Sequence, residues 1–421
     1  MPSPKSSPAQ QIDQQAQQLD STDKLSALKS QFELPENGVY LDGNSLGALP
    51  IIAKQRALET VELQWGRDLI ASWNKHHWID LPITVGEKIA RLIGAGVGQT
   101  ICCDSISVNL FKLICAALAK QPGRTTVLSQ VDNFPTDLYM VQGIESLLSQ
   151  ERCQLKSVNA NNIEQSLTEE VAVLLVTQVN YRTGYIHDMA KLTKLAHAKG
   201  ILVIWDLAHS AGVLDLKLDD CQVDFAVGCS YKYLNGGPGA PGFIYVAKRH
   251  LSHFKQPLSG WMGHSQPFQF SPTFESDKSI SQCLTGTPAI ISMSILDAAL
   301  EVFTAVDMSD VMSKSKALTS FFMQGLKTLK LDQELTCISP QSAELRGSQV
   351  ALTHPYAFAI CQALIAHKVV ADFRAPEVLR LGFAPLYISF ENVATALHRL
   401  KKIMQNKEYL KAEFQQQGKV T

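Results

Sequence analysis

The apolar positions of this chain change rhythm several times, and each change marks an element. Val171-Ala-Val-Leu-Leu-Val176 and Ile201-Leu-Val-Ile-Trp205 are unbroken apolar runs, as strands covered on both faces require. Between them Asp188 stands at an N-cap position and Gly200 at a stop, which predicts a helix over 189–199. Further strands are predicted at 39–42, 125–128, 225–229 and 243–246. Leu110, Phe111, Ile114 and Leu118 share one side of a predicted helix over 107–119, and a second helix is predicted over 138–148. Strand, helix and strand at this spacing imply a parallel sheet with right-handed crossovers. Residues 250–285 are rich in Pro, Ser and Phe and read as long loops, which are uncommon unless functional. A helix over 290–306 leads into a C-terminal α+β region. Residues 1–22 are dominated by Pro, Ser and Gln and predict a disordered tail, with a polar helix through Gln14 and Gln18 as the alternative.

With 421 residues and 46% apolar content, the chain is long enough for one large and one small domain. The expected division is a tail at 1–22, an N-terminal segment at 23–70, a large domain at 71–305 and a small domain at 306–421. Lysine and arginine number 38 against 39 acidic residues, a net charge of −1. That removes the electrostatic case for nucleic acid or an anionic membrane. No apolar run reaches the ~20 residues of a membrane span, and no secretory signal is visible. Nine scattered cysteines fit neither a disulfide framework nor zinc-ribbon spacing. A cytoplasmic enzyme is the expectation.

Ligands of open parallel sheets bind beyond the carboxyl ends of the strands. There the sequence places Thr177, then Asp206-Leu-Ala-His209, then Ser230-Tyr231-Lys232 ahead of Asn235-Gly-Gly-Pro-Gly239. Lys232 follows a buried strand and precedes glycines that let backbone approach closely. A desolvated lysine there can form a Schiff base with a carbonyl, whereas most lysines are merely solvated. Asp206 can pair with a protonated pyridine nitrogen or simply cap a helix, and His209 can face the same ligand or pack in the core. Taken together the set favours a pyridoxal phosphate (PLP) enzyme. A metal site at Asp206 and His209 lacks a third ligand.

Several stretches match a known family in order. They are Leu41-Asp-Gly-Asn-Ser-Leu-Gly47, Asn133-Phe-Pro-Thr-Asp137, Val179-Asn-Tyr-Arg-Thr-Gly184, the segments around Asp206 and Lys232, Gly260-Trp-Met-Gly-His264, Leu284-Thr-Gly-Thr-Pro288, and Arg374 through Arg380 to Tyr387. From about residue 30 to about 405 the chain resembles the kynureninase family, within the class V aminotransferase group of fold-type I PLP enzymes. The resemblance implies an α/β fold, with a mostly parallel sheet in a large domain beside a smaller α+β domain. It implies Lys232 as the cofactor lysine, Asp206 at the pyridinium nitrogen and Phe134 stacked on the ring. Pro135, Thr136, Asp137, Thr177 and His209 would lie close to the ring. Phosphate ligands would be Ile106, Ser107, Tyr231 and, from a partner subunit, Trp261 and Thr287. The residue types agree in part, since Ser107 opens a helix whose first amides favour an anion.

For the substrate the resemblance implies Arg380 as the carboxylate clamp, with Trp73 and Ser45 in the pocket. Arg380 rather than Arg374 is the expected clamp because, before a strand-like apolar stretch, it would otherwise be half-buried and unpaired. The implied reaction is hydrolysis of L-kynurenine or 3-hydroxy-L-kynurenine to anthranilate or 3-hydroxyanthranilate and L-alanine. It would serve tryptophan degradation and NAD biosynthesis, in a homodimer with shared sites. Lys232 would move the α-proton, Asp137 would act beside it, and Tyr231 would supply a proton. The alternatives are another class V reaction, cysteine desulfuration with Cys283 as a mobile nucleophile or transamination, or a PLP-binding protein without catalysis.

Overall fold

The computed structural model describes residues 7–416. They divide into two compact units. The larger comprises Ile52–Tyr181 and His187–Glu301, and the smaller the residues up to Ile51, Arg182–Ile186 and the residues from Val302 onward.

The larger unit is built on seven strands: β1 (Thr100–Cys102), β2 (Thr126–Gln130), β3 (Gln154–Val158), β4 (Val171–Thr177), β5 (Leu202–Asp206), β6 (Phe225–Cys229) and β7 (Gly242–Val246). Their spatial order is β1-β7-β6-β5-β4-β2-β3. β7 runs antiparallel to both neighbours, and every other pairing is parallel. The other six strands therefore end on one edge. Every residue of β4, β6 and β7 is buried, which is why they read as continuous apolar runs. Leu110, Leu113, Ile114 and Ala117 of the helix Ile106–Ala119 pack in one buried cluster with Val127, Val173, Leu175 and Ile204.

Several expectations shift at their boundaries. The helix foreseen from 138 begins at Pro135, whose fixed φ suits a first helical position. Asp188 caps Met189–His197 by accepting from the Lys191 N–H at 2.9 Å. Residues 250–285 hold only short helical turns, such as Trp261–Gly263 and Ile280–Cys283. The helix Leu81–Leu92 and strands β1 and β3 were not foreseen. β3 is an edge strand whose Gln154, Lys156 and Ser157 carry no apolar rhythm.

The smaller unit carries an antiparallel sheet of β8 (Thr336–Cys337), β9 (Gln349–Thr353), β10 (Asp372–Arg374) and β11 (Val378–Gly382), in the order β8-β9-β11-β10. Its N-terminal part corrects the expected tail. Pro8–Ser21 is a helix, with a capping box between Ser7 and Gln10 and with Ile12 and Ala16 buried. Asp20, near its end, accepts from the backbone N–H groups of Phe390 and Glu391 at 2.8 and 2.9 Å. Those amides open the helix Phe390–Gln405, so a carboxylate from one helix caps the other. Two buried apolar residues four apart, the caps, and the Asp13–His398 contact at 2.7 Å hold a segment whose composition is polar. The part of the expected tail at residues 1–6 lies outside the described residues. Among the described residues no helix is long and apolar enough to cross a membrane.

Asp20→Ala should lower stability against chemical denaturation by about 1–2 kcal/mol, the scale of a lost N-cap. The unfolding midpoint measured by circular dichroism checks this, and an unchanged midpoint would show that the first helix is not held by its cap.

Candidate active site

The strand ends of the larger unit open into a cavity of about 680 Å³, within the range of small-molecule sites. Thr177 ends β4 and Asp206 ends β5, and the two are register partners. Lys232 lies three residues beyond the end of β6. Its Nζ stands 3.0 Å from His209 Nε2, 5.9 Å from the centre of the Phe134 ring and 5.8 Å from that of Tyr231. Gly237 and Gly239 follow at φ +85° and +73°, left-handed values that glycine adopts without strain.

Two acids lie together here, Asp206 in the cavity lining and Asp137 behind it. Asp206 is 2% exposed and accepts from the Ala208 N–H at 2.7 Å. Asp137 is fully buried, with Asp206 and Thr177 as its polar neighbours. Burial pushes Asp137 well above the ordinary carboxylate range, and the neighbouring Asp206 pushes it further. Burial also raises Asp206, opposed by the Ala208 amide and by Lys232. Two carboxyl groups that cannot both ionise cheaply in a low dielectric call for a cation. The protonated ring nitrogen of PLP is such a cation, so the residues fit that cofactor. Tyr231 is raised above its usual range by Cys229 and by burial, so its hydroxyl keeps its proton.

An anion-binding end is present as well. Ser105 N-caps the helix Ile106–Ala119, accepting from Val108 N–H at 3.4 Å. Ser105, Ile106 and Ser107 line the cavity, where first-turn amides and the helix dipole favour a phosphate. Thr287, expected from a partner subunit, lines the cavity of its own chain. The chain passes along that wall from Leu284 to Ala289.

The remaining sequence candidates fall elsewhere. Phe134 and Thr136 line the cavity, while Pro135 starts the helix that carries Asp137. Trp261 is not among the lining residues. It is 36% exposed and packs against Phe268 and Phe270. Trp73 sits edge-on to Trp78 at 6.0 Å, also away from the lining. Arg380 and Ser45 belong to the smaller unit and are brought together there, with Arg380 Nη2 donating to Ser45 Oγ at 3.0 Å. The expectation that Arg380 is half-buried and unpaired is corrected. It is 1% exposed, and its Nε donates to Asp372 Oδ1 at 2.9 Å while Nη2 donates to Oδ2. Asp372 also accepts from Arg374 at 2.8 Å and from Ser45 Oγ at 2.7 Å.

Two residues that sequence reasoning passed over belong to the site. Asn133 accepts from the Thr177 hydroxyl and from the Phe134 N–H, and it lay in plain view within the Asn-Phe-Pro-Thr-Asp motif. Tyr181 lines the cavity and meets Phe134 edge-on at 5.3 Å. Cys283, weighed as a mobile nucleophile, is fully buried, and burial pushes its thiol up to about 12. That is the state of an inert packed cysteine.

The mixed sheet, with a lysine and an acid beyond its strand ends, defines the class V fold of PLP-dependent enzymes. It is similar to the apo structure of a cysteine desulfurase from Thermococcus onnurineus NA1, with a TM-score of 0.77 and 17% identity over 90% of this chain and 98% of that one. A C-DES variant with glycine covalently linked to its PLP cofactor gives 0.77 and 18% over 89% and 98%. Sequence relatives narrow the class. A protein named kynureninase from Burkholderia pseudomallei (strain 1106a) is 44% identical over 97% of this chain and 99% of its own length. Another from Pseudomonas fluorescens is 42% identical over 96% and 98%. Residues 311–400 match the model of the kynureninase C-terminal domain. The chain belongs to the kynureninase family.

Proposed function

We propose that this chain hydrolyses L-kynurenine, or its 3-hydroxy form, to anthranilate or 3-hydroxyanthranilate and L-alanine, with PLP as cofactor. The observation that carries the reading is the half-buried Lys232 beside the buried His209 and Asp206 at one sheet edge, with the buried Asp137 on the helix Pro135–Leu148 next to Asp206, in a chain related along nearly its whole length to kynureninases. When bound, PLP supplies an electrophilic carbon for the substrate amine and a ring that takes up the electron pair released at the substrate carbon.

The residues then divide the work. Lys232 anchors the cofactor through Nζ and, once released, moves the proton at the substrate α-carbon. His209, 3.0 Å away, orients that amine. Asp206 balances the positive ring nitrogen, and Asp137, the acid raised further, holds a proton beside it, so the pair presents one negative charge rather than two. The Ile106 and Ser107 amides, the Tyr231 hydroxyl and Thr287 take the phosphate, and Phe134 covers the ring face. Water adds to the γ-carbonyl carbon and the bond between the β- and γ-carbons breaks. Tyr231, or a water it holds, returns a proton to the β-carbon. Arg380 clamps the substrate carboxylate, with Ser45 beside it, because a guanidinium offers two parallel donors. Trp73 is assigned to the wall of the substrate pocket.

A homodimer and a cytoplasmic setting complete the reading. Trp261, exposed within an aromatic patch, is assigned to the phosphate of the partner's site. The nine cysteines are all free thiols, in keeping with a reducing compartment.

Lys232→Ala should abolish the visible absorption of the PLP-loaded protein and nearly all anthranilate fluorescence from kynurenine. An unchanged absorption band would overturn the assignment, and a normal band without anthranilate in the wild type would point to a different class V reaction. For Arg380→Lys the charge stays but the fork is lost. KM for kynurenine should rise at least tenfold with cofactor absorption unchanged, and an unaltered KM would move the clamp to Arg374. Complementation tests the dimer. Lys232→Ala and Trp261→Ala proteins, each nearly inactive, are mixed under subunit exchange. Half the dimers become mixed, and one site in each is wild type only if Trp261 serves the partner, so about a quarter of all sites recover. No recovery after verified exchange would place Trp261 in its own chain's service.

A further inference from the structure

Lys112 is the most deeply buried ammonium of the larger unit that the reaction leaves unused. It lies within an apolar helix, and its side chain is fully buried. Its Nζ donates to Asp104 Oδ2 at 2.5 Å and to the carbonyl oxygen of Cys283 at 2.5 Å. Neither partner is incidental. Asp104 sits at φ +48°, a left-handed conformation that a non-glycine residue holds at some cost. It immediately precedes Ser105, the cap of the helix whose first amides line the cavity. The Asp104 carbonyl accepts from Gly242 N–H at 2.7 Å, and the Cys103 carbonyl accepts from Asn109 Nδ2 at 2.8 Å. Cys283 directly precedes Leu284, where the opposite wall of the cavity begins and runs on to Thr287. One ammonium therefore ties the turn that aims the helix amides to the loop that carries Thr287, while not itself lining the cavity.

We propose that Lys112, acting through Asp104 and the Cys283 carbonyl, is the positioning residue that sets the spacing of the phosphate-binding end of the site. The proposal rests on the reading that the phosphate of PLP lies at the start of the helix Ile106–Ala119. Losing Lys112 frees Asp104 to leave its left-handed turn and uncouples the two walls. The interactions that suffer are those with the phosphate, and those with the ring are spared.

The experiment compares PLP with pyridoxal, which lacks the phosphate, on the apo-protein, with Kd read from quenching of intrinsic fluorescence. Lys112→Met should raise the Kd of PLP at least tenfold while that of pyridoxal stays within twofold. Removing the cation alone leaves Asp104 without its partner, so the double variant Lys112→Met/Asp104→Gly is measured alongside. It removes both charges, and glycine keeps the left-handed turn accessible. The same loss for PLP is expected, because the tie to Cys283 is gone. Equal weakening of PLP and pyridoxal in a folded variant, or no weakening of either, would overturn the proposal. A wild-type protein that binds PLP no better than pyridoxal would instead overturn the placement of the phosphate, and with it any role for Lys112.

Discussion

Two carboxyl groups, Asp137 and Asp206, are buried together beside one lysine, and most of the larger unit can be understood as the means of keeping them there. A buried carboxylate is costly unless it meets a cation or hydrogen-bond donors. Asp206 has the Ala208 amide, and for the rest the two acids have, among the described residues, only each other and Thr177. An isolated helix or an exposed loop could not hold such a pair against hydration. A sheet with a helix packed beside it can, because β5 ends on Asp206 next to the ends of β4 and β6 while the first turn of the helix Pro135–Leu148 brings in Asp137. A cationic group brought beside the pair would offset that cost. The polar edge strand β3 lies outside the cavity lining.

The same logic shows why the fold and the lysine were legible in the sequence while other parts were not. Strands covered on both faces announce themselves as runs such as 171–176, and the chemistry follows at their ends. That placed Thr177, Asp206, His209, Tyr231 and Lys232 beside one another before any coordinates. β1 and β3 are short or edge strands, and neither carries a rhythm. Composition favours a tail over the first helix because it averages over the two positions, Ile12 and Ala16, that bury it. Lys112 left a trace, a lone cation between Phe111 and Leu113, but periodicity counts such a residue as a blemish on an apolar face. Its meaning needs Asp104 and Cys283, which are 8 and 171 residues away.

Residue types also failed to reveal pairing. Arg380 was singled out for its guanidinium, on the argument that a buried arginine without a partner awaits a ligand. The partner is Asp372, on the adjacent strand β10 and directly opposite Arg380 in the ladder. Nothing near Arg380 in sequence distinguishes this acid from any other. An arginine already paired can still hold a carboxylate, but only if the cluster as a whole stays positive.

The charge count of that cluster is therefore the deciding quantity. Arg374 and Arg380 are permanently charged, and both donate to Asp372. Those guanidinium groups hold Asp372 below the usual carboxylate range even though burial opposes it, so it is ionised at neutral pH. Asp42, in the same cluster, goes the other way. Burial and the charge of Asp372 push it up to about 7, against the pull of Ser45 and the two arginines. Below that pH the four groups sum to about one positive charge, enough to attract an anion. Above it Asp42 ionises, the sum falls to zero, and the guanidinium fork retains its geometry without its surplus charge. Asp42 lies within the Leu41-Asp-Gly-Asn-Ser-Leu-Gly47 stretch, whose backbone is tied to β11 through Gly382 N–H and the Leu41 carbonyl at 2.7 Å. The segment that brings Ser45 to Arg380 thus also brings the acid that sets how much charge Arg380 has to offer.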